Sequence, residues 1–288
     1  MSMKTAIVTG ANSGMGLATT IQLARQGYRV IMACRSEKRG QQALQEALRE
    51  SGSTAIELIL CDLGSIESIR HFAQSFRERY NTLDVLVNNA GVVMLKRQET
   101  SDGFEQSIGI NHLGHFLLTL LLIQPLKAAE QGRIVNVSSG AYKAGKIHFD
   151  DPHLHQGYNP IKSYAQSKLA NVLFTRALSR KVANSRVTVN CLHPGAVGTS
   201  IGVDRNTGFG TRIMAFVGKL PFFLSPEDGA QTAIYLATSP EVAEITGRYF
   251  YQKKEQKLKA HAMDDAVTER FWTWSEQQVG LKPDEKLE

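Results

Sequence analysis

Tyr164 and Lys168 stand four residues apart in the run SYAQSKLANVLF, and two serines, Ser138 and Ser139, close an apolar run upstream of them. On a helix, residues four apart lie one above the other, so this spacing sets an ammonium beside a phenol. A phenol with an ordinary pKa of about 10 exchanges protons poorly near neutrality, and a neighbouring cation brings it toward working range. A serine hydroxyl close to the same phenol can hold a carbonyl oxygen. These three residue types suit proton exchange with an alcohol or carbonyl oxygen.

A second constellation suits a dinucleotide. Thr9, Gly10, Ala11, Asn12, Ser13, Gly14, Met15 and Gly16 follow a strand-like run and open a helical one, in a TGxxxGxG spacing. Glycines let the backbone turn sharply and approach a pyrophosphate, while a helix N-terminus offers free amides and the positive end of its dipole. Some twenty residues later, at the end of the second strand-like run, an NAD-selective site would carry an acid for the ribose 2′-hydroxyl. Arg35 stands there, followed by Lys38 and Arg39, which favours a 2′-phosphate and therefore NADP(H) over NAD(H). The bland alternative for Lys38 and Arg39 is a solvated helix start. Asp62-Leu63 and Asn88-Asn89-Ala90-Gly91 end the next two strand-like runs. An aspartate there can accept from an adenine amino group or cap the next helix.

The elements that must position these groups alternate along the chain. Strands are expected at Thr5 to Val8, Arg29 to Ala33, Ile56 to Leu60, Val85 to Asn88, Ile134 to Val137, Val187 to Leu192 and Tyr249 to Tyr251. Helical patterns occupy Met15 to Arg25, Glu37 to Glu50, Ile66 to Arg79, Gly103 to Ala129, Ile161 to Ala183 and Pro226 to Ala237. Strand and helix repeated this often predict an α/β fold, a doubly wound parallel sheet covered on both faces. Without a repeat, linker or low-complexity tract, residues 1–288 read as one domain. Two irregular stretches, 141–160 and 201–224, follow strand ends, where an open sheet binds its ligands, and are the substrate-loop candidates. Ser225, Pro226 and Asp228 carry the residue types of a helix start.

Composition closes off other classes. The chain has 288 residues, 42% apolar and 21% charged, which excludes disordered and collagen-like chains. The net charge is +6, yet each third of the sequence carries 11 lysines and arginines, so no basic arm points to a nucleic acid. Cys34, Cys61 and Cys191 are odd in number and set in apolar runs, which reads as buried thiols in a reducing, cytoplasmic compartment. With only Met1 to Met3 ahead of the strand-like run that opens at Lys4, no secretory h-region is expected. Gln106 to Leu126 has no formal charge, but its polar residues and Pro125 make it a buried helix rather than a membrane span. Phe271, Trp272 and Trp274 are expected to cover the core or a subunit contact, and both homodimer and homotetramer stay open.

With these motifs in sequence order, the chain resembles the short-chain dehydrogenase/reductase family over nearly its whole length. The resemblance rests on TGANSGMG at Thr9, DL at Asp62, NNAG at Asn88, Asn111, NVSS at Asn136, YAQSK at Tyr164, and HPG at His193 followed by Thr199. MACRS, INHLGHFLLT, GKIHFDD and YAQSKLANVLFTRAL look most like the retinol dehydrogenase, WW-domain oxidoreductase and protochlorophyllide reductase branch. The resemblance implies a seven-stranded Rossmann sheet, Tyr164 as general acid/base, and Lys168 binding the nicotinamide ribose while lowering the tyrosine pKa. It implies Ser139 polarising the carbonyl, with Ser138 as the fallback, and Asn111 holding a water in a proton relay. The cofactor would be lined by Gly10, Asn12, Ser13, Gly14, Met15, Gly16, Arg35, Asp62, Leu63, Asn88, Ala90, Gly91, Tyr164, Lys168, Pro194, Gly195, Val197 and Thr199.

The expected function is NADP(H)-dependent interconversion of an alcohol with an aldehyde or ketone on an apolar, retinoid-like or other lipophilic substrate. Carbon–carbon double-bond reduction within the same family is an alternative. A catalytically silent dinucleotide-binding regulator is another, and the presence of tyrosine, lysine and serine together weighs against it. His148, Asp150, Asp151, His153 and His155 lack the spacing of a metal motif and read as loop polarity. Met94, Leu95 and the phenylalanines of 201–224 are candidates for an apolar substrate wall.

Overall fold

The computed structural model describes residues 3–195 and 224–287. Its strands are β1 (Thr5–Thr9), β2 (Arg29–Cys34), β3 (Ile56–Leu60), β4 (Val85–Asn88), β5 (Arg133–Val137), β6 (Thr188–Leu192), β7 (Tyr249–Tyr251) and β8 (Lys254–Glu255). They form a single sheet in the order β3-β2-β1-β4-β5-β6-β7-β8. The first seven pair in parallel, and β8 returns antiparallel on β7. The order reverses at β1, with β2 on one side and β4 on the other, so a crevice opens beyond the carboxyl ends of these strands.

The sheet therefore has eight strands rather than seven. Gln252 and Lys253 both hold positive φ, at 50° and 62°, which makes the tight reversal that brings Lys254 and Glu255 back onto β7. Neither residue is a usual choice for that turn, so the sequence reads as a charged loop there.

Helices cover both faces: α1 (Gly14–Arg25), α2 (Glu37–Ser51), α3 (Ile66–Arg79), α4 (Gly114–Leu121), α5 (Ile123–Ala128), α6 (Pro160–Lys181), α7 (Pro226–Thr238) and α8 (Asp265–Gln278). Alternate strand residues enter different cores. Ala6, Val8, Met32, Cys34, Val135 and Val137 pack toward α1 and α7 residues such as Leu23 and Ala233. Ile7, Ile31, Leu86, Ile134 and Val189 pack toward Phe72, Phe116 and Phe174. Strand residues alternate faces, so a sheet buried on both sides needs nearly continuous apolar runs, and β1 is buried at every position. Each fully buried large side chain contributes roughly 1.5–3 kcal/mol.

The three cysteines are free and buried, with Cys34 and Cys61 in cores on opposite faces of the sheet. Trp272 packs at 4.9 Å from Phe116 and covers the core, as Phe271 does nearby. Ser225 caps α7 through the Asp228 amide at 3.0 Å. No helix among the described residues is long and apolar enough to cross a membrane.

The expected helix from Gly103 to Ala129 is broken. A short turn, Gln106–Ile108, passes into a wide π turn, Gly109–Leu113, before α4 begins, and α5 follows after Leu122. The wide turn carries Asn111.

Candidate active site

A cleft of about 370 Å³ runs along the carboxyl ends of the strands on both sides of the order reversal. At one end, β1 leads through Gly10, with φ of +64°, into the first turn of α1. A Cβ on Gly16 would lie 2.4 Å from the Gly10 carbonyl oxygen, so only glycine lets α1 approach the loop this closely. Ser13 makes no side-chain capping bond and the first turn of α1 holds no acid. By contrast α2, α3 and α7 are capped by Ser36, Ser65 and Ser225. The α1 amides are thus left for an anion, and the positive end of the helix dipole faces the cleft. Gly10, Asn12, Ser13, Gly14, Met15 and Gly16 all line it.

At the tip of β2 the wall is Arg35, Ser36 and Arg39. Arg35 is exposed and Arg39 half-buried, so two arginines border the cleft where the sequence singled out chiefly the first. Lys38 is outside the cleft. Asp62 and Leu63 line the next stretch, and Asp62 Oδ1 accepts from the Gly64 amide at 2.9 Å. Asp62 therefore shapes its loop while facing the cleft, and the cap of α3 falls to Ser65 instead.

The NNAG turn corrects one expectation. Asn88 is buried away from the cleft, where its Nδ2 donates to Thr119 Oγ1 at 2.9 Å and Asn136 Oδ1 at 2.8 Å. As the last residue of β4 its side chain turns into the core. Asn89, Ala90 and Gly91 line the cleft in its place. Asn89 Nδ2 donates to the Thr9 carbonyl at 2.7 Å and ties this turn to the glycine loop.

At the other end, α6 presents Tyr164 and Lys168 to the cleft opposite Ser139 at the tip of β5. The α6 start is set by Asn159, whose side chain accepts from the Ile161 and Lys162 amides, with Pro160 in the first turn. Ser139 Oγ accepts from the Ala141 amide at 3.2 Å and lines the cleft together with Tyr164. Ser138 donates its hydroxyl to the Lys168 carbonyl at 2.8 Å, turned into the backbone of α6 and away from Tyr164. The geometry separates the two serines, which the sequence could not do without the family resemblance.

Lys168 Nζ donates to the Val137 carbonyl at 3.1 Å and lies 5.6 Å from the Tyr164 ring centre. Burial pushes its pKa down to about 8. Burial also pushes the Tyr164 phenol above its ordinary value, while the neighbouring Ser139 hydroxyl pulls it back. A phenol lowered by Lys168 is therefore not what these side chains produce by themselves. Desolvation wins because the ammonium is beside the ring, without a bond to the phenol oxygen.

Asn111 is fully buried and forms none of the cleft wall. Its Oδ1 accepts from the Val92 amide at 2.8 Å, and its Nδ2 donates to the Val92 carbonyl at 2.9 Å and to Ser167 Oγ at 3.0 Å. Pro194 and Gly195 close the cleft beyond β6. Val197, Thr199 and the 201–223 part of the second loop candidate lie outside the described residues.

Residues 4–208 match the family model described as short chain dehydrogenase. The chain belongs to the short-chain dehydrogenase family. Among the relatives of this short-chain dehydrogenase, human (Homo sapiens) retinol dehydrogenase 14 is 46% identical over 294 residues, covering 98% of this chain and 88% of that protein. A solved structure of an uncharacterised protein from Mycobacterium Paratuberculosis is 32% identical, with a TM-score of 0.76, over 97% of this chain and 94% of that one. A point variant of actinorhodin polyketide ketoreductase, solved with NADPH, is 29% identical with a TM-score of 0.67, over 86% of this chain and 95% of that one.

In this short-chain dehydrogenase the loop at 141–160 does structural work with most of its polar groups. His153 stacks on Phe104 at 5.6 Å, and His155 meets Arg97 at 3.0 Å. Among the described residues no three histidine, cysteine, aspartate or glutamate side chains converge as a metal site. Val92 and Ile110 give the cleft its apolar wall near Tyr164, and the Tyr158 hydroxyl reaches the Met94 carbonyl at 2.7 Å, joining the loop after β4 to the start of α6. Leu95, beside it, is 53% exposed.

Proposed function

We propose that this short-chain dehydrogenase is an NADP(H)-dependent oxidoreductase that interconverts an alcohol with an aldehyde or ketone on an apolar substrate of retinoid or similar lipophilic character. The observation that carries the reading is the meeting of Ser139, Tyr164 and Lys168 on one cleft wall, with the Lys168 ammonium 5.6 Å from the phenol ring centre. The nicotinamide, when bound, supplies or takes up the hydride. Tyr164 exchanges the proton of the substrate oxygen, and Ser139 donates its hydroxyl to that oxygen as charge develops on it. Lys168 would hold the nicotinamide ribose. Asn111 would hold a water of the proton relay.

The fit of the cofactor is supported by uncapped α1 amides at one end of the cleft and by the Arg35 and Arg39 guanidinium groups, which suit a 2′-phosphate. Gly10, Asn12, Ser13, Gly14, Met15 and Gly16 would hold the pyrophosphate, Asp62 and Leu63 the adenine, and Ala90, Gly91, Pro194 and Gly195 the nicotinamide half. The ketoreductase solved with NADPH agrees with this choice, and the identity to retinol dehydrogenase 14 supports a lipophilic alcohol or aldehyde. Three free, buried thiols fit a cytoplasmic location.

A panel of retinal, short aldehydes, ketones and enones, followed by NADPH absorbance, tests the reading. Turnover of aldehydes or ketones is the expected result. Turnover confined to enones would move the function to double-bond reduction, and none at all with NADPH bound would make the chain a dinucleotide sensor.

A further inference from the structure

His115 touches neither the cleft nor solvent, being 2% exposed, yet both its ring nitrogens are engaged. Nε2 lies 2.8 Å from Thr9 Oγ1, and Nδ1 lies 3.1 Å from the Asn111 carbonyl oxygen. Thr9 Oγ1 already accepts the Asn89 amide at 2.9 Å and the Ala90 amide at 3.0 Å. A hydroxyl oxygen has two acceptor positions, and both are taken, so only its proton is left to give. Its nearer acceptor is Nε2, since the Val87 carbonyl stands at 3.4 Å. The ring proton is therefore on Nδ1 and is donated to the Asn111 carbonyl. The other tautomer would aim a lone pair at that oxygen. Burial keeps the ring neutral, with its pKa pushed down to about 4.

The Asn111 carbonyl belongs to the wide turn Gly109–Leu113, where the Gly114 amide reaches back to the Gly109 carbonyl. The Asn111 side chain is spent on Val92 and Ser167, so its direction along the turn depends on what holds the backbone. Asn111 and Lys168 both border Gly91: a Cβ there would meet Lys168 Nζ at 3.5 Å and Asn111 Oδ1 at 3.6 Å. Hydrogen bonds thus run from the end of the glycine-loop strand, through the His115 ring, to Asn111, which borders Gly91 together with Lys168.

The geometry points to His115 as a positioning residue for proton exchange, one that fixes the Asn111 carbonyl relative to Lys168 from an anchor on Thr9. This rests on the reading of Tyr164 and Lys168 as the proton-exchanging pair. A side chain without the Nδ1 donor lets the wide turn relax, and misplacement by a fraction of an ångström at a reacting group is expensive in rate.

Asparagine places an amide nitrogen near the position of Nδ1, and glutamine places a polar group near that of Nε2, so the two variants separate the ends of the bridge. With retinal and NADPH as probes, His115→Asn should keep kcat within about threefold, whereas His115→Gln should lose roughly 10- to 100-fold, with KM and NADPH affinity nearly unchanged. The reverse order, equal losses in both variants, no loss in either, or a loss carried by NADPH affinity would each overturn the assignment. Nitrogen-15 NMR of the wild-type histidines reads the tautomer without any variant: a proton on Nδ1 is expected, and a proton on Nε2 overturns the proposal even if neither variant folds. Tyr164→Phe, measured alongside, keeps the two readings apart. If it retained turnover, the catalytic reading would fall while the tautomer result stood on its own.

Discussion

Lys168 Nζ sits 5.6 Å from the centre of the Tyr164 ring and spends one hydrogen bond on the Val137 carbonyl at the end of β5. That carbonyl also accepts from Asn171 Nδ2 at 3.1 Å, so strand and helix are stitched together where Ser139 leaves the sheet. These bonds fix α6 against β5, and Ser139 and Tyr164 line the same cleft. Holding a charged side chain there costs stability, and burial depresses the ammonium for the same reason.

Tyr164→Phe removes the hydroxyl and keeps the ring. Turnover of retinal with NADPH should fall by about 100-fold or more while NADPH affinity holds, because the phenol acts on substrate oxygen. Ser139→Ala should behave alike, and Ser138→Ala should cost far less, since its hydroxyl serves the α6 backbone. Steady-state kinetics with cofactor titration distinguishes these outcomes, and a Ser138 variant as damaged as the Ser139 variant would reverse the assignment.

Lys168→Met should abolish turnover yet raise stability at neutral pH by about 1–3 kcal/mol, since it removes a buried charge without removing volume. The folded pKa of about 8 lies below that of an unfolded lysine, so the burden is fully present below about pH 8 and fades as pH rises toward the unfolded value near 10.4. Urea unfolding at pH 7 and pH 10 should show the advantage of the variant shrinking. An advantage that does not change with pH would mean that the native lysine holds its proton as tightly as the unfolded one, with no depression by burial.

Most of the fold was legible because the sheet is buried on both faces. Runs such as TAIV and VIMA admit few other readings once glycine turns and amphipathic helices separate them. The β8 hairpin was not legible, because Gln252 and Lys253 adopt positive φ without a glycine or asparagine to signal it. The break around Asn111 was hidden by a continuous apolar pattern, since a π turn adds one residue to the helix without changing its composition. At the site, residue types and order identified the tyrosine, lysine and glycine loop. The division of labour between Asn88 and Asn89 depends on which way the last strand residue points, and adjacent residues of the same type give no hint of that. Arg39 lay in plain view beside Arg35, but only the first turn of α2 shows that it leans into the cleft.

Two guanidinium groups at the β2 tip give cofactor choice a sharp test. Arg35→Ala and Arg39→Ala should each weaken NADPH binding by roughly 1.5–3 kcal/mol, the worth of a charge-assisted hydrogen bond, and leave NADH binding nearly unchanged. Fluorescence titration of both cofactors measures the difference. Equal losses for the two cofactors would place the arginines at a part of the nucleotide that both share.

The buried histidines make the protein sensitive to acid, and His112 carries the clearest signature. Its Nε2 meets Ser275 Oγ at 2.8 Å, and Ser275 gives its own proton to the Phe271 carbonyl, so the imidazole is the donor there. Its Nδ1 has no partner among the described residues, and Phe116, Phe174 and Phe271 surround the ring at 4.8–5.8 Å. Burial, helped by the neighbouring His115, pushes the pKa to about 3. The folded value lies below the unfolded one, about 6.5, so above that pH both states are neutral and nothing changes. Below it the unfolded chain takes up a proton that the native ring refuses, and stability falls by about 1.4 kcal/mol per pH unit for each such group. His115 adds a second group down to about pH 4. His112→Leu, which leaves the Ser275 hydroxyl bonded to Phe271, should therefore flatten the fall in unfolding free energy between about pH 6 and pH 4 by close to one proton. Wild-type and variant curves that run parallel across that range would show that the ring takes up its proton in the native state as readily as in the unfolded chain.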